Sequence, residues 1–402
     1  NLTDTDDDGD GVLDGDDAFP LDENETVDSD SDGTGDNSDI DENGNGLIEI
    51  ESLQDLAEIE NNLNGQSHFG VNTGCPVDSC IGFELTTDLD FDTNQDGKMD
   101  EDDAYWNDGL GWLPIAQANI AFEANFEGNG HIIKNLYINR PTLDGAGLFR
   151  FMNNANIRHL GFSGSLMSVT GKSYVGALVG YVNSNSEISA VYNTGSIQGG
   201  SSAGGLIGGM GEFNQVSSSF NTGSVIATTN KAGGLAGRVW RNNTFSSSFS
   251  VGSVNGTSDT GGLIGYMNGD ENTLINSYWA TDSSGQADSI VEKDVTSIEG
   301  GLTLANLQCA IQANSANSNS DCNAGDFYTN WDDAELNNVW SFGSNQQLPG
   351  LVLNGVIYRD SDGNGALDDF DNDGQADVHD SDDDNDGVLD INDAFPFIAL
   401  NS

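Results

Sequence analysis

A repeat in the middle of the chain constrains the possible folds more than any other feature. Its first mark is a leucine in the segments GAGLF, GALVG, GGLIG, GGLAG and GGLIG, at steps of 30, 28, 29 and 28 residues: Leu148, Leu178, Leu206, Leu235 and Leu263. Its second mark is an aromatic residue at steps of 28, 29 and 29 residues: Tyr192, Phe220, Phe249 and Tyr278. One such repeat cannot bury its own apolar side chains, so consecutive repeats must stack on one another.

Each repeat offers two or three short strands separated by Gly, Asn and Ser turns, and it is too glycine-rich for a pair of helices. Coils stacked at the strand spacing of about 4.8 Å align equivalent side chains into internal ladders. We therefore predict an all-β fold, a parallel β-helix (β-solenoid) with about 28 to 30 residues per coil, over residues 104–300. The leucines, the aromatic residues and the pair Asn193 and Asn221 are predicted to lie inside. An aromatic ladder that faced outward would instead be a platform for stacking sugars.

Charge is concentrated outside the repeat. The chain has 66 Asp and Glu against 11 Lys and Arg, a formal net charge of -55. Residues 141–280 hold six acids and six bases, whereas residues 1–97 contain no Lys or Arg and residues 360–393 contain 14 Asp. This balance excludes a nucleic-acid partner, which requires clustered Lys and Arg. We expect no membrane insertion, because no apolar run reaches about 18 residues, and the start at Asn1 without a leader is expected of a processed or excised piece.

The acidic segments have the spacing of calcium-binding loops. In such loops oxygens at positions 1, 3, 5, 9 and 12 converge on the ion, while a glycine at position 6 allows the sharp turn. Seven segments match with glycine at position 6, so we predict about seven Ca²⁺ sites. The predicted ligands are Asp6, Asp8, Asp10, Asp14 and Asp17 in loop 1 (6–17); Asp28, Asp30, Asp32, Asp36 and Asp39 in loop 2 (28–39); Asp41, Asn43, Asn45 and Glu49 in loop 3 (41–52); Asp92, Asn94, Asp96, Asp100 and Asp103 in loop 4 (92–103); Asp360, Asp362, Asn364, Asp368 and Asp371 in loop 5 (360–371); Asp369, Asp371, Asp373, Asp377 and Asp380 in loop 6 (369–380); and Asp382, Asp384, Asp386, Asp390 and Asp393 in loop 7 (382–393).

Two loops depart from the simple pattern. Position 12 of loop 3 is Ser52, which makes this loop weaker, and Asp371 belongs to both loop 5 and loop 6, which suggests adjacent ions bridged by common carboxylates. A disordered acidic tail is the alternative explanation of such composition, but seven matches with glycine in place are not accidental. Extracellular modules of this kind bind Ca²⁺ with Kd on the order of 10⁻⁴ to 10⁻³ M, so we expect an extracellular location.

The spacing DxDxDGxxDxxD without flanking EF-hand helices resembles the thrombospondin type 3 repeats of bacterial surface proteins. DGVLDGDDAFP (10–20) and DGVLDINDAFP (386–396) look like two copies of one such unit. The repeated G-G-L-x-G core, with NGLIEIESLQDLAEIENNLNG and FEGNGHIIKNLYINR before it and WSFGSNQQLPGL after it, resembles the GLUG-motif family. These resemblances imply a parallel β-helix with calcium-stiffened stalks on a secreted or surface-anchored bacterial protein, and they imply no settled activity.

The flanking segments complete the predicted organisation. Leu53, Leu56, Ile59 and Leu63 have helical spacing behind a Ser52 cap, which predicts a short amphipathic helix over the open end of the solenoid. Cys75 with Cys80 and Cys309 with Cys322 are predicted as two local disulfides, although four cysteines allow three connectivities. The predicted units are 1–51 (calcium repeats), 52–103 (capping helix, Cys75/Cys80 loop and a calcium loop), 104–300 (β-helix), 301–359 (C-terminal cap with Cys309/Cys322) and 360–402 (calcium repeats).

No catalytic motif is visible. The four histidines are isolated from one another in sequence, and neither HExxH nor GxSxG occurs: His68, His131, His159 and His379. Lys231, Arg238 and Arg241, with Glu212 on the neighbouring coil, are interpreted as a solvated rim. The sequence thus predicts a non-catalytic, calcium-stabilised structural protein, a filament or stalk unit joined head-to-tail through its arms to itself or to tandem modules. The alternative is an adhesin or glycan-binding module whose β-helix face binds a glycan or cell-surface ligand.

Overall fold

The computed structural model describes most of the chain up to residue 308 and shorter parts after it. The described residues are 5–76, 79–117, 120–269, 271–290, 295–308, 328, 331, 339–342, 347–369, 376–377 and 383. Within these ranges the helices are short: α1 (Leu53–Glu58), α2 (Thr281–Ser284), α3 (Leu304–Leu307) and the 3-10 helices Ile59–Asn61 and Asn107–Gly109. None of the helices in the described ranges has the length and apolar character needed to cross a membrane.

Strands form most of the regular structure. In chain order they are β1 (Leu47–Ile50), β2 (Gly82–Leu85), β3 (Leu89–Asp90), β4 (Asn125–Glu127), β5 (Ile132–Lys134), β6 (Tyr137–Ala146), β7 (Phe149–Met152), β8 (Asn156–Ser163), β9 (Ser168–Val175), β10 (Val179–Ser184), β11 (Glu187–Asn193), β12 (Ser196–Gly204), β13 (Ile207–Glu212), β14 (Gln215–Ser217), β15 (Phe220–Asn221), β16 (Val225–Gly233), β17 (Ala236–Val239), β18 (Thr244–Ser246), β19 (Phe249–Ser250), β20 (Val254–Gly256), β21 (Thr260–Gly261), β22 (Ile264–Met267), β23 (Asn272–Ala280), β24 (Val295–Leu302), β25 (Trp340–Ser341), β26 (Gly350–Leu353) and β27 (Val356–Tyr358).

Three parallel sheets form a β-solenoid, which confirms the predicted fold class. The first sheet runs from β1 through β2, β4, β8 and β11 to β23; the second contains β7, β10, β13, β17 and β22; the third contains β6, β9, β12, β16, β20 and β21. In the second sheet Phe149 pairs with Val179, then Val179 with Ile207, Ile207 with Ala236, and Ala236 with Ile264. These pairings advance by the same steps as the repeated leucines, so the sequence period is the length of one coil.

The solenoid interior is apolar and closely packed. All five repeated leucines have an exposed fraction of 0% and belong to one continuous core. Asn193 and Asn221 form the predicted internal ladder, in which the Asn193 amide donates to the Asn221 Oδ1 atom at 2.8 Å. Each buried amide therefore has a partner from the next coil, which removes the cost of an unpaired polar group.

The aromatic ladder is buried, but not inside the solenoid. Along β11 the side chains alternate, so Val191 joins the central core while Tyr192 joins a second cluster with Trp340 and Tyr358. Tyr192 stacks on Phe220 with ring centroids 5.0 Å apart. The prediction of a buried stack is confirmed, whereas its placement in the interior is wrong, because the C-terminal segment covers the outer face of the first sheet.

The N-terminal end of the solenoid has the predicted helix. Ser52 caps α1 by accepting a hydrogen bond from the Asp55 amide at 3.2 Å, and Leu56 and Ile59 are fully buried in the central core. The helix is shorter than predicted, because its last turn tightens into the 3-10 helix from Ile59 to Asn61. Parallel pairing already begins with β1 and β2 on this side of the solenoid.

The N-terminal arm is irregular, as predicted. Residues 5–46 contain neither helix nor strand. The predicted Cys75–Cys80 disulfide is present, with Cα atoms 4.9 Å apart. Cys309 and Cys322 lie outside the described residues.

Candidate calcium-binding loops

The acidic loops share one backbone closure. In loops 1, 2, 3, 5 and 6, the amide of position 9 donates to the carbonyl of the residue just before position 1, at 2.8 to 3.1 Å. The donor and acceptor pairs are Asp14 to Thr5, Asp36 to Val27, Glu49 to Ile40, Asp368 to Arg359 and Asp377 to Asp368. The same sequence spacing therefore produces the same hydrogen-bonded loop closure before and after the solenoid repeat.

The turn inside each loop is also repeated. In loops 1 to 5 the side-chain oxygen at position 5 accepts a hydrogen bond from the amide at position 7, and the glycine at position 6 has a φ between +78° and +103°. This φ range favours glycine over any residue with a Cβ atom. The glycine in the motif is thus required by the backbone, which explains its fixed position.

Loops 1 and 2 bring three carboxylates together. The ligand oxygens of Asp6, Asp8 and Asp10, and those of Asp28, Asp30 and Asp32, each lie within 4.8 Å of one another. Within the described residues, three carboxylate oxygens of these side chains are buried without a hydrogen-bond partner: Asp8 Oδ2, Asp10 Oδ2 and Asp28 Oδ1. Buried acceptors of this kind are costly unless a donor or cation reaches them, so the donor set fits a hard cation.

The carboxylate at position 12 accepts hydrogen bonds from different amides in different loops. Asp17 and Asp39 are 9% exposed and accept bonds from the amides two residues later, of Phe19 and Asp41. In loop 4, Asp103 turns back and accepts bonds from the amides of Thr93 and Asp100, at 2.8 and 2.9 Å. In loops 3 to 5 the described carboxylates do not form a group of three within 4.8 Å.

Loop 3 is completed by a glutamate that the loop spacing did not reveal. Ser52 caps α1, whereas Glu84 of β2 accepts hydrogen bonds from the side-chain amides of Asn43 and Asn45, at 2.6 and 2.8 Å. Glu84 lies opposite Glu49 in the parallel pair β1–β2, so only knowledge of that strand register could have predicted the contact. The loop thereby attaches to the edge of the solenoid through Glu84.

A column of three glutamates continues from this contact. Glu49 lies opposite Glu84, Glu84 opposite Glu127, and Glu127 opposite Arg158 on successive strands of the first sheet. Burial, with added repulsion from Glu84 and Asp41, raises the pKa of Glu49 to about 8. Its Oε1 atom is buried without a hydrogen-bond partner in the described part of the chain. Like charges placed directly opposite one another destabilise a sheet, so the Glu49 end of this column favours a proton or a cation.

The Glu127 end of the column is neutralised by two neighbouring side chains, His159 and Arg158. Burial of Glu127 opposes ionisation, but the His159 ring, whose Nδ1 atom lies 2.9 Å from Glu127 Oε1, and the Arg158 guanidinium lower its pKa below the ordinary value. One coil before His159, His131 Nδ1 lies 3.2 Å from Asp88 Oδ1. These two histidines, isolated from one another in sequence, thus each contact a carboxylate of the solenoid.

Loop 5 packs against the side of the solenoid. Asp360 is 1% exposed and accepts bonds from the amides of Gly363, Asn364 and Gly365, at 2.8, 3.1 and 2.8 Å. Burial raises the pKa of Asp360 to about 6, and the turn after it lies against the solenoid, where a Cβ atom at Gly363 would be 2.8 Å from the Val251 side chain. The C-terminal arm is therefore joined to the coils at its first loop.

Part of the C-terminal prediction cannot be placed. Asp369 and Asp377 of loop 6 are described, and the remaining predicted ligands lie outside the described residues: Asp371, Asp373, Asp380, Asp382, Asp384, Asp386, Asp390 and Asp393.

Comparisons with known proteins give limited similarity. No family model matches the chain. The chain is similar to halomucin from Haloquadratum walsbyi, with 32% identity over 161 residues, which is 38% of this chain and 2% of halomucin. Among solved structures it is similar to a Bacteroides ovatus protein provisionally described as an immunoglobulin A1 protease, with a TM-score of 0.42, 18% identity, and coverage of 58% of this chain and 66% of that one. The chain therefore spans a very small part of halomucin and just under two thirds of the Bacteroides chain.

Proposed function

We propose that this chain is a non-catalytic, calcium-stabilised structural segment of a larger extracellular or cell-surface protein. The observation that carries the proposal is the pair of carboxylate triplets in loops 1 and 2, whose buried oxygens have no partner in the described residues. Calcium suits this donor set because it accepts six to eight oxygens in flexible geometry, whereas Mg²⁺ demands a near-ideal octahedron and retains water.

The charge of the arms supports a need for cations. Two carboxylates about 5 Å apart in water repel each other by roughly 0.8 kcal/mol, and each loop contains several such pairs. Bound Ca²⁺ removes this repulsion, and a site that meets free Ca²⁺ at about 100 times its Kd stabilises the folded state by about 2.7 kcal/mol. The arms are thus expected to be compact in calcium and expanded in chelator.

An extracellular location agrees with four features. The expected weak affinity suits a calcium-rich exterior. The Cys75–Cys80 disulfide is typical of an oxidising compartment. The similarity to halomucin, although it covers little of that protein, favours a surface or secreted protein. Resemblance to GLUG-motif and thrombospondin type 3 proteins points the same way.

Head-to-tail assembly is the finer proposal. Acidic loops flank the solenoid at both ends of the sequence, and such matching ends allow a contact that propagates instead of closing. The partner is a second copy of the chain or a tandem module of the same protein, joined by Ca²⁺ between the arms.

Particle size against Ca²⁺ concentration tests this proposal. Light scattering and negative-stain microscopy of the chain, from chelator to about 10 mM Ca²⁺, are expected to show growth of regular filaments. Asp30→Asn should shift this growth to higher Ca²⁺ because it removes a carboxylate of loop 2, whereas Asp22→Asn, in the same arm but between loops 1 and 2, should not. If the particles became smaller with Ca²⁺ without growing into filaments, the arms would be spacers and head-to-tail assembly would be wrong. If particle size did not change with Ca²⁺, calcium stabilisation would be contradicted.

An adhesin is the second candidate function. Half-buried rings and guanidinium groups on the outer face of the second sheet favour a ligand there, since the rest of the described coils present mainly Ser, Thr, Asn and Gly.

A further inference from the structure

One row of side chains on the second sheet points away from the core. The paired positions on its five strands are Phe151, Tyr181, Gly209, Arg238 and Tyr266, one from each coil. Each member except Gly209 is half-buried, whereas Val179 and Val182 beside Tyr181 have no exposed surface. At the strand spacing of about 4.8 Å, the five positions span roughly 19 Å along the solenoid.

Two tyrosines occupy the space above the glycine of this row. A Cβ atom at Gly209 would lie 2.5 Å from the Tyr174 ring and 2.7 Å from the Tyr181 ring. The two rings meet nearly edge to face, with centroids 5.2 Å apart. The absence of a side chain at Gly209 therefore creates a shelf of two aromatic rings in the middle of the row.

Cations lie against the other rings of the same surface. Three of them lie over ring faces, at the following distances from the ring centroid: Arg150 over Phe151 at 5.1 Å, Lys231 over Tyr266 at 5.3 Å and Arg238 over Trp240 at 4.2 Å. We call the row with Tyr174, Trp240, Arg150 and Lys231 the aromatic–arginine face. A guanidinium stacked on a ring is held in one orientation, and its planar fork of N–H donors stays suited to a carboxylate.

Two of the guanidinium groups on this surface have no acidic partner. Lys231 forms an ion pair with Asp259, at 3.6 Å, but Arg150 and Arg238 form none within the described part of the chain. The Nε atom of Arg238 is buried and lacks a hydrogen-bond acceptor there. In a chain of net charge -55, acidic side chains are abundant, so two uncompensated guanidinium groups on one sheet face are an informative exception.

We propose that the aromatic–arginine face binds a carbohydrate chain that carries carboxylate groups. The apolar C–H faces of the sugar rings pack on Tyr174 and Tyr181, and a sugar carboxylate accepts hydrogen bonds from the Arg238 guanidinium in a bidentate contact. The straight row of coils suits an extended polymer, because equivalent positions recur at every coil. This binding goes beyond the calcium-dependent structural role and does not require it.

An acidic arm of a second copy is the competing occupant. Its carboxylates also complement Arg238, but they are the groups that Ca²⁺ engages in the proposed function, and the strong net negative charge of each chain opposes such docking. The Asp-rich loops of an arm, moreover, have few apolar groups that could pack on the aromatic shelf. Uronic or sialic sugars supply both the apolar C–H faces and the carboxylate.

Calorimetric titration of the full chain at constant saturating Ca²⁺ tests the proposal. The probes are oligosaccharides of galacturonate, of alternating glucuronate and N-acetylglucosamine, and of sialic acid, each compared with its methyl-esterified neutral form. At least one acidic probe should bind, and its esterified form should bind at least about tenfold more weakly, as expected for the loss of a charge-assisted contact.

The variants separate the two parts of the face. Arg238→Gln should weaken binding of the acidic probe about tenfold. Arg238→Lys should restore only part of the loss, because an ammonium lacks the paired donors of a guanidinium. Tyr174→Ala should weaken binding of the acidic probe and of its esterified form alike. Lys98→Gln, which removes one positive charge far from the face in sequence, and Asp8→Asn in loop 1 should leave binding unchanged. Each variant of the face, and Lys98→Gln, is first shown to unfold at the temperature of the native chain.

Three outcomes would overturn the proposal. They are no binding of any acidic probe, equal binding of the acidic and esterified forms, or Ca²⁺-dependent self-association that is lost in Arg238→Gln while sugars do not bind. The last result would assign the face to a second copy.

Discussion

At the scale of single residues, the position of each carboxylate decides whether it is tolerated. Glu127 is stabilised as an anion by His159 and Arg158, whereas Glu49, in the same column, has neither. Glu84 lies between them, 3% exposed, and accepts the amides of loop 3. The column therefore changes from a neutralised end to an end that favours a proton or a cation, and that end lies within loop 3.

Glu84→Gln should have opposite effects with and without calcium. In chelator the change removes a negative charge between Glu49 and Glu127, so the temperature of unfolding should rise. In Ca²⁺ it removes an anion that orients Asn43 and Asn45, so the temperature should fall. Differential scanning calorimetry with and without chelator measures both, and the exposed Glu123→Gln is the control. A shift of equal sign in both conditions would refute this role of Glu84.

The pH dependence of the calcium-free chain follows from Glu49 and Asp41. Burial raises the pKa of Glu49 from 4.5 to about 8 and that of Asp41 from 3.8 to about 6. A carboxyl whose folded-state pKa is raised stabilises the fold fully below its unfolded value, and the contribution is lost as pH rises through the folded pKa. In chelator the unfolding temperature should therefore fall between pH 4.5 and 8, and Glu49→Gln should flatten the fall above pH 6. A temperature that rises over this range would contradict the assignment.

At the scale of elements, the sequence period determined the coil and its register. The steps between repeated leucines equal the steps between paired strands, because each coil must place the same apolar residue over the one before it. The side on which the aromatic ladder lies could not be predicted in this way. Its burial depends on Trp340 and Tyr358, which are distant in sequence and outside the repeat. Periodicity reports that a position is buried, but not which segment covers it.

Leu206 tests the inward face of the coil. Leu206→Ala should cost about 2 to 5 kcal/mol of unfolding free energy, since it leaves a cavity in a fully buried core, and Leu206→Asp should abolish the fold. Urea denaturation followed by circular dichroism measures both changes. Ile226, which is 37% exposed on the third sheet, provides the matched control, because Ile226→Asp should be tolerated. A soluble, well-folded Leu206→Asp protein would refute the inward placement.

At the scale of the whole molecule, a nearly neutral solenoid carries acidic loops before and after its repeat. The loop spacing predicted the shared turns of loops 1 to 5, because glycine at position 6 and an acceptor at position 5 are local requirements. It did not predict how loops 3 and 5 attach, since Glu84 and Val251 come from solenoid coils. The turns within a loop can be predicted from nearby residues, whereas the attachment of a loop to the solenoid depends on the register of strands distant in sequence.

The most direct test of the account is the number of calcium ions that the intact chain binds. Titration calorimetry of the chelator-treated chain should give saturable binding of about seven Ca²⁺, one for each loop. Asp8→Asn should remove or weaken one site, and Asp22→Asn should remove none. The absence of saturable binding, or an unchanged stoichiometry and affinity in Asp8→Asn, would contradict calcium-stabilised loops as the basis of this protein's function.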